Sequence, residues 1–321
     1  MGRCGFSLLA AWGKQMALVR TLADREPNGG EQNDREQNDR EPNGGDQDHF
    51  KPALPPGLRE LYDGDLHFRT SPAGRPFVIS NFVSTLDGVV SYQMKGQAGG
   101  STVSGSDPAD RFIMGLLRAS ADAVMVGART VHEESPQSLW IPEYTYPDAK
   151  DLYTEYRVNI LHKPEYPVLV IVSGSGQLEL ERAIFRTPRV RTVVITTSAG
   201  REALDRAGAT KLPSVQIFAL DAQGETIAPL AMLRLLSAEL GVARLLLEGG
   251  PTLFGQFLAA HVVDELFLTL SPQIAGRSSA EIRPALVQGT AFMPDSAPWL
   301  QLLSVKQRAE HLYLRYQRAV A

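Results

Sequence analysis

Short, nearly continuous apolar runs punctuate the chain at Phe77–Val83, Ala123–Val126, Val168–Val172, Val190–Ile195, Val215–Leu220, Arg244–Leu247 and Leu266–Leu270. Each has the length of a strand, most are bounded by Gly, Pro or Ser, and their lack of alternation points to burial on both faces. Helical patterns lie between them. Asp107–Ser120 opens with Asp107 as N-cap and Pro108 at the first helical position, and it stacks Phe112, Leu116 and Ala119 on one face. Arg201–Ala207 is closed by Gly208, Pro229–Leu240 by Gly241, and Pro251–Ala260 follows a double glycine. Doubly buried strands separated by helices predict an α/β fold, a three-layer αβα sandwich around a mainly parallel sheet. The C-terminal end differs: Trp299–Val305 and His311–Tyr316 are strands without a helix between them, which predicts an antiparallel hairpin on the sheet edge.

The pattern fades N-terminal to Pro72. Between Asp24 and His49 the chain holds no apolar residue and reads EPNGG, EQNDR twice, then EPNGG again. Nine acids face three arginines there, a balance of −6, so of the net charge of −4 the rest of the chain carries +2. A segment with nothing to bury cannot offset its ordering entropy. Residues 1–71 are therefore expected to be a disordered extension with a low-complexity repeat over 24–49, ahead of a folded domain over 72–321. The apolar stretch Phe6–Trp12 is short and meets Lys14, unlike a secretory signal. No apolar run has the length of a membrane span, and the acidic balance argues against a nucleic-acid groove. Cys4 is the single cysteine, which excludes a disulfide scaffold, an iron–sulfur cluster and a Cys-pair zinc site. The histidines are scattered, and His132-Glu133 lacks the second histidine of a zinc motif. A cytoplasmic protein with a small-molecule ligand and no metal, membrane or nucleic-acid partner is the expectation.

In parallel sheets, ligands bind at the carboxyl ends of strands beside helix N-termini. Three strands end in glycine-bearing turns: Gly127-Ala128-Arg129-Thr130, Ser173-Gly174-Ser175-Gly176 and Glu248-Gly249-Gly250-Pro251-Thr252. Their exposed N–H groups suit phosphate, so a bound nucleotide is expected. Thr197, Ser198 and Arg201 are candidates for a 2′-phosphate. The familiar nucleotide signatures are missing: G-x-G-x-x-G fails at Glu179, and there is no P-loop.

Four segments, in order across residues 77–317, resemble the reductase domain of bacterial riboflavin biosynthesis, the C-terminal half of the bifunctional deaminase-reductase. They are Ser84-Thr85-Leu86-Asp87-Gly88; Ser104-Gly105 with Leu117-Arg118-Ala119-Ser120-Ala121-Asp122-Ala123-Val124; Val126-Gly127-Ala128-Arg129-Thr130-Val131; and Leu247-Glu248-Gly249-Gly250-Pro251-Thr252-Leu253 with Val263-Asp264-Glu265-Leu266 and Ser271-Pro272-Gln273-Ile274-Ala275-Gly276. The resemblance implies a dihydrofolate-reductase-like αβα fold, an NADPH cofactor and a homodimer. It implies cofactor contacts at Ser84, Ser104, Thr130, Glu134, Ser173, Gly250, Pro251, Thr252, Leu253 and Gly255. It implies substrate contacts at Thr102, Arg118 and Glu248, with Glu248 and Asp87 as the catalytic carboxylates. The deaminase half is excluded, because its zinc signature needs cysteines that this chain lacks.

One segment departs from the family. Where the family reads x-x-D-x-P-x-L and then a sugar-phosphate arginine, this chain has Glu134 for the aspartate and no arginine after Pro136. Trp140, Tyr144, Tyr146, Tyr153 and Tyr156 occupy that loop instead. Three readings stay open: an NADPH-dependent 5-amino-6-(5-phosphoribosylamino)uracil reductase, a reductase of the same fold acting on another small ring or carbonyl compound such as a pterin, and a nucleotide-binding relative without catalysis.

Overall fold

The computed structural model describes residues 17–18, 54–93, 100–224, 226–279 and 281–319. The apolar runs become the strands of one ten-stranded sheet. In chain order the main elements are α1 (Pro56–Tyr62), β1 (Phe77–Ser84), α2 (Pro108–Ser120), β2 (Ala123–Gly127), α3 (Ala128–Glu133), β3 (Val168–Ser173), β4 (Thr192–Thr196), α4 (Ser198–Arg206), β5 (Val215–Ala219), α5 (Pro229–Leu240), β6 (Arg244–Leu247), α6 (Pro251–Ala259), β7 (Glu265–Leu270), β8 (Leu300–Arg308) and β9 (His311–Arg318). Across the sheet the order is β8-β9-β7-β1-β6-β2-β3-β4-β5, with the two-residue strand Ala17–Leu18 outside β8. Pairing is parallel from β7 to β5 and antiparallel between β7 and β9 and between β9 and β8. The expected αβα architecture and C-terminal hairpin are both present. No helix among the described residues is long and apolar enough to cross a membrane.

Each face of the sheet carries its own core. Phe112, Leu116 and Ala119 of α2 sit with Val124, Leu169 and Val194 on one face; Met232, Leu233 and Leu236 of α5 and Phe254 and Phe257 of α6 cover the other. The start of α2 follows from its sequence: the Asp107 side chain accepts from the Asp110 amide at 2.9 Å, and Pro108 sits where no N–H is needed. α4 begins earlier than the periodicity suggested, because the Thr197 hydroxyl accepts from the Gly200 amide and caps it.

The folded part also starts before Pro72. Leu54, Leu58, Leu61, Tyr62, Leu66 and Phe68 all belong to the core on the α2 face of the sheet, so the boundary placed at residue 72 cuts through the fold. These residues are spread over a short helix and a loop, with no run of strand length to betray them. The repeat over 24–49 lies outside the described residues.

The aromatic segment between α3 and β3, expected as a loop, forms short helical turns at Pro142–Thr145, Lys150–Thr154 and Glu155–Ile160 and is largely structural. Tyr153 and Tyr156 are buried in the α2-side core, and Tyr146 packs against it. The Tyr153 hydroxyl donates to the Phe112 carbonyl at 2.8 Å. Gly115 makes room for that ring, since a Cβ there would stand 2.6 Å from the tyrosine oxygen. Arg157, 1% exposed, donates to the carbonyls of Ala119 and Ala121 and so closes the C-terminus of α2.

Candidate active site

β6 runs between β1 and β2, and a cleft opens at the carboxyl ends of these three strands. Its inner part is lined by Asn81–Val83 of β1, Asp110, Met114 and Arg118 of α2, Thr130 and Glu133 of α3, and the Glu248–Pro251 turn. An outer part shares Asp110, Met114, Arg118, Glu134 and Trp140 with the inner one and adds Ser101, Ser106, Arg111, Ser135, Ser138 and Tyr144.

At the centre, Arg118 and Glu248 form a buried pair. Arg118 Nε donates to Glu248 Oε1 at 2.9 Å and Nη2 to Oε2 at 2.6 Å, with both side chains about 5% exposed (6% and 5%). Arg118 Nη1 donates to the carbonyls of Leu139 and Ile141, which flank Trp140. One guanidinium therefore fixes both the carboxylate at the end of β6 and the indole that walls the cleft, a planar geometry that only arginine supplies. Glu134 lies beside this pair. Burial pushes its carboxyl above the ordinary range, against the nearby Arg118 charge.

Asp110 is the deepest acid. It is 3% exposed, its Oδ2 has no hydrogen-bond partner among the described residues, and it borders both parts of the cleft. Burial pushes its carboxyl up to about 6, assisted by Asp107 and opposed by the hydroxyls of Thr269 and Ser104. Asp107 itself is held by Tyr313 at 2.6 Å and Arg308 at 3.0 Å.

The turn after β6 fits a pyrophosphate. Gly250 is the N-cap of α6, whose first turn leaves amides without intrahelical partners. A Cβ on Gly249 or Gly250 would stand 3.2 or 3.1 Å from Thr130 Oγ1, filling the space between the two turns. Pro251 and Thr130 line the same space.

The cleft thus gathers Arg118, Glu248, Thr130, Glu134, Gly250 and Pro251 from the expected set. Thr252, Leu253 and Gly255 continue along α6, where Gly255 packs against the Gln288 backbone, 2.9 Å from its would-be Cβ. Ser84 is buried at the end of β1, Ser104 contacts Asp110, and Thr102 follows the cleft residue Ser101 and accepts from Gln273 through its carbonyl. Ser173 stands apart: its hydroxyl accepts from Gly176, and a Cβ on Gly176 would meet the Gly200 carbonyl at 2.1 Å, so that glycine turn is closed by packing. Thr197 caps α4, and Arg201 bonds to Asp205 and to the Ile217 carbonyl. Asp87 does not line the cleft. Its carboxylate accepts from Thr85 at 2.6 Å, Ala275 at 3.0 Å and Gly276 at 2.7 Å, bonds that hold it well below the usual carboxylate range. It ties the Ser84–Gly88 turn to the Ser271–Gly276 turn, a stapling position where a catalytic one was expected. Two residues of the cleft were not legible in the sequence: Asp110, whose place in the first turn of α2 reads as an ordinary helix start, and Asn81, hidden in an apolar run. Among the described residues no cluster of metal-ligating side chains is found.

Residues 76–314 match the family described as the RibD C-terminal domain. The chain is 28% identical over 224 residues to the 2,5-diamino-6-ribosylamino-4(3H)-pyrimidinone 5′-phosphate reductase of Archaeoglobus fulgidus, covering 68% of this chain and 89% of that protein. The protein of the same name from Aquifex aeolicus is 25% identical over 219 residues, covering 68% and 85%. The riboflavin biosynthesis protein RibD of Chlamydia trachomatis is 27% identical over 203 residues; 63% of this chain matches, across 48% of that longer protein. Among solved structures, a pyrimidine reductase-like protein from Corynebacterium diphtheriae superposes with a TM-score of 0.58 at 18% identity, covering 77% of this chain and 93% of that one.

Proposed function

The chain belongs to the RibD C-terminal domain family, and from that premise we propose that it is an NADPH-dependent reductase of a ribosylaminopyrimidine 5′-phosphate. The observation that carries this reading is the cleft itself, where a glycine cradle at a helix N-terminus meets a buried Arg118–Glu248 pair at the ends of adjacent strands. Thr130, Gly249, Gly250 and the first turn of α6 would hold the pyrophosphate of the dinucleotide. When bound, the dihydronicotinamide would supply a hydride to C1′ of the ring-opened ribose imine, whose C=N electron pair goes to the nitrogen as that atom takes a proton from solvent.

The protein's share is positioning. Arg118 locks Glu248 in one orientation, so the carboxylate edge left after the bidentate contact accepts from the pyrimidine's N–H groups. Trp140, steadied by the same arginine, gives the ring an apolar wall. Arg111 takes the place of the family's sugar-phosphate arginine. Its Nε donates to the Thr145 carbonyl at 2.7 Å, and its terminal nitrogens, with no hydrogen bond among the described residues, would take a phosphate beside the hydroxyls of Ser101, Ser106, Ser135 and Tyr144 in the outer cleft. A homodimer is part of the proposal, on the family's pattern.

The relatives from Archaeoglobus and Aquifex are named for the 2,5-diamino pyrimidinone, and that compound is the first substrate to try. NADPH oxidation dependent on it, and absent with a dihydropterin, supports the reading. Oxidation with the pterin alone contradicts it.

A further inference from the structure

We propose that Asp110 determines substrate specificity, its Oδ2 accepting a hydrogen from the 2-amino group of the pyrimidine and thereby selecting a 2-amino-4-oxo ring over a uracil. The inference rests on the reductase reading above. Three observations bear on the carboxyl, which the Thr269 and Ser104 hydroxyls also face. The Asp110 side chain is 3% exposed, it borders both the inner and the outer cleft, and Oδ2 has no partner among the described residues. The other acids of the cleft differ: Glu133 is only partly buried. Glu248 is paired through both oxygens with Arg118, and Glu134 Oε2 accepts a long bond of 3.5 Å from Ser138. A buried acceptor left unpaired is costly, and native proteins tolerate one where a ligand completes it.

The ligand's chemistry decides which ring completes it. A 2-amino-4(3H)-pyrimidinone carries two adjacent donors, the ring N3–H and the 2-amino group. A uracil carries a carbonyl oxygen in place of the amino group, and that oxygen would face Oδ2 acceptor against acceptor. A site built to receive a donor rejects an analogue lacking it far more strongly than an apolar pocket rejects a change of size. The relatives' names hold both kinds of ring: the 2,5-diamino pyrimidinone phosphate of the Archaeoglobus protein and the uracil of a solved Thermotoga maritima deaminase-reductase.

The ionisation of the carboxyl gives the selection a pH dependence. Pushed up to about 6, Asp110 is mainly an anion and a pure acceptor at about pH 8. Once protonated it can donate to a carbonyl, so discrimination fades as the pH falls through about 6. The charged and titratable groups around it are Asp107, Arg111 and Arg118 on or capping its own helix, Arg308, His311 and Tyr313 on the hairpin, and Glu133, Glu134 and Glu248 across the cleft.

The test compares kcat/KM for the 2,5-diamino-6-ribosylaminopyrimidinone and the 5-amino-6-ribosylaminouracil 5′-phosphates, with NADPH, across pH. The unmodified chain should prefer the 2-amino compound at least about tenfold at about pH 8, with the preference shrinking below pH 6. Asp110→Asn, whose amide presents either an acceptor or a donor, should bring the two substrates within about threefold while NADPH affinity is kept. Asp110→Ala is read in parallel and should flatten the preference in the same way. A ratio unchanged in both variants, or a wild-type preference for the uracil, overturns the proposal. If neither compound is turned over, the reductase reading fails, and binding separates the two claims: 2,5,6-triamino-4-oxopyrimidine and 5,6-diaminouracil are titrated into the NADPH-loaded chain by calorimetry. An Asp110-dependent preference for the triamino ring upholds the selection site; equal binding overturns it.

Discussion

Glu248 and Arg118 show how a single contact joins stability to chemistry. The pair is buried and bidentate, so Glu248→Gln sets an amide N–H2 against a guanidinium and leaves a buried charge half compensated. We expect a loss of about 2–4 kcal/mol in kcat/KM toward the pyrimidine, roughly thirtyfold or more, with NADPH affinity changed less than about threefold. Steady-state kinetics beside a cofactor titration measure both; loss of cofactor binding with the substrate term intact would move the carboxylate to the cofactor. Asp110 makes the opposite prediction for stability. Its folded carboxyl titrates at about 6 against an ordinary 3.8, so the folded state holds its proton more tightly than the unfolded state, and stability falls as pH rises between these values. The difference is worth about 3 kcal/mol once the group is ionised. Asp110→Asn should therefore be more stable than the parent above about pH 6 and equal to it below about pH 4, as urea titrations at several pH values would show. A variant less stable at pH 8 would contradict that account. Glu248 was legible in the sequence, because a carboxylate ending a buried strand beside two glycines has few structural uses. Asp110 was not, since only the tertiary fold shows what faces a first-turn aspartate.

At the level of elements, α2 carries more of the site than any other segment. It presents Asp110, Met114 and Arg118 to the cleft on one side and Phe112 and Leu116 to the core on the other. The short helical segment 150–160 after α3 holds it in place through Tyr153 and Arg157. Gly115→Ala would drive a methyl into the buried Tyr153 ring, 2.6 Å from its oxygen, and should cost about 1–3 kcal/mol of overpacking. The same change should raise KM for the pyrimidine, because the tyrosine packs on the helix that carries the cleft residues. Thermal denaturation checks the first part; an unchanged Tm would mean that the ring moves aside freely. The strands and α2 itself were readable from periodicity and capping residues. The aromatic loop was not: its tyrosines are spaced neither as a strand nor as one long helix, and only packing against Gly115 shows why they are there.

Over the whole molecule, the core reaches back to Leu54. A chain beginning at Pro72 loses Leu54, Leu58, Leu61, Tyr62, Leu66 and Phe68, six buried apolar side chains worth about 1.5–3 kcal/mol each. That sum rivals the stability of an average domain, so the truncated chain should fail to show a cooperative unfolding transition. A soluble product with the parent's Tm would show that α1 is an accessory. The direct test of the central claim is isotopic. The chain is incubated with NADPH bearing deuterium on the transferable position of the nicotinamide C4 and with 2,5-diamino-6-ribosylaminopyrimidinone 5′-phosphate, and the product is examined by mass spectrometry and NMR. One deuterium at C1′ of a ribitylamino product, with NADPH consumed in equal amount, is the expected result. Unchanged pyrimidine in the presence of bound cofactor, or reduction that places the label anywhere but C1′, would contradict it.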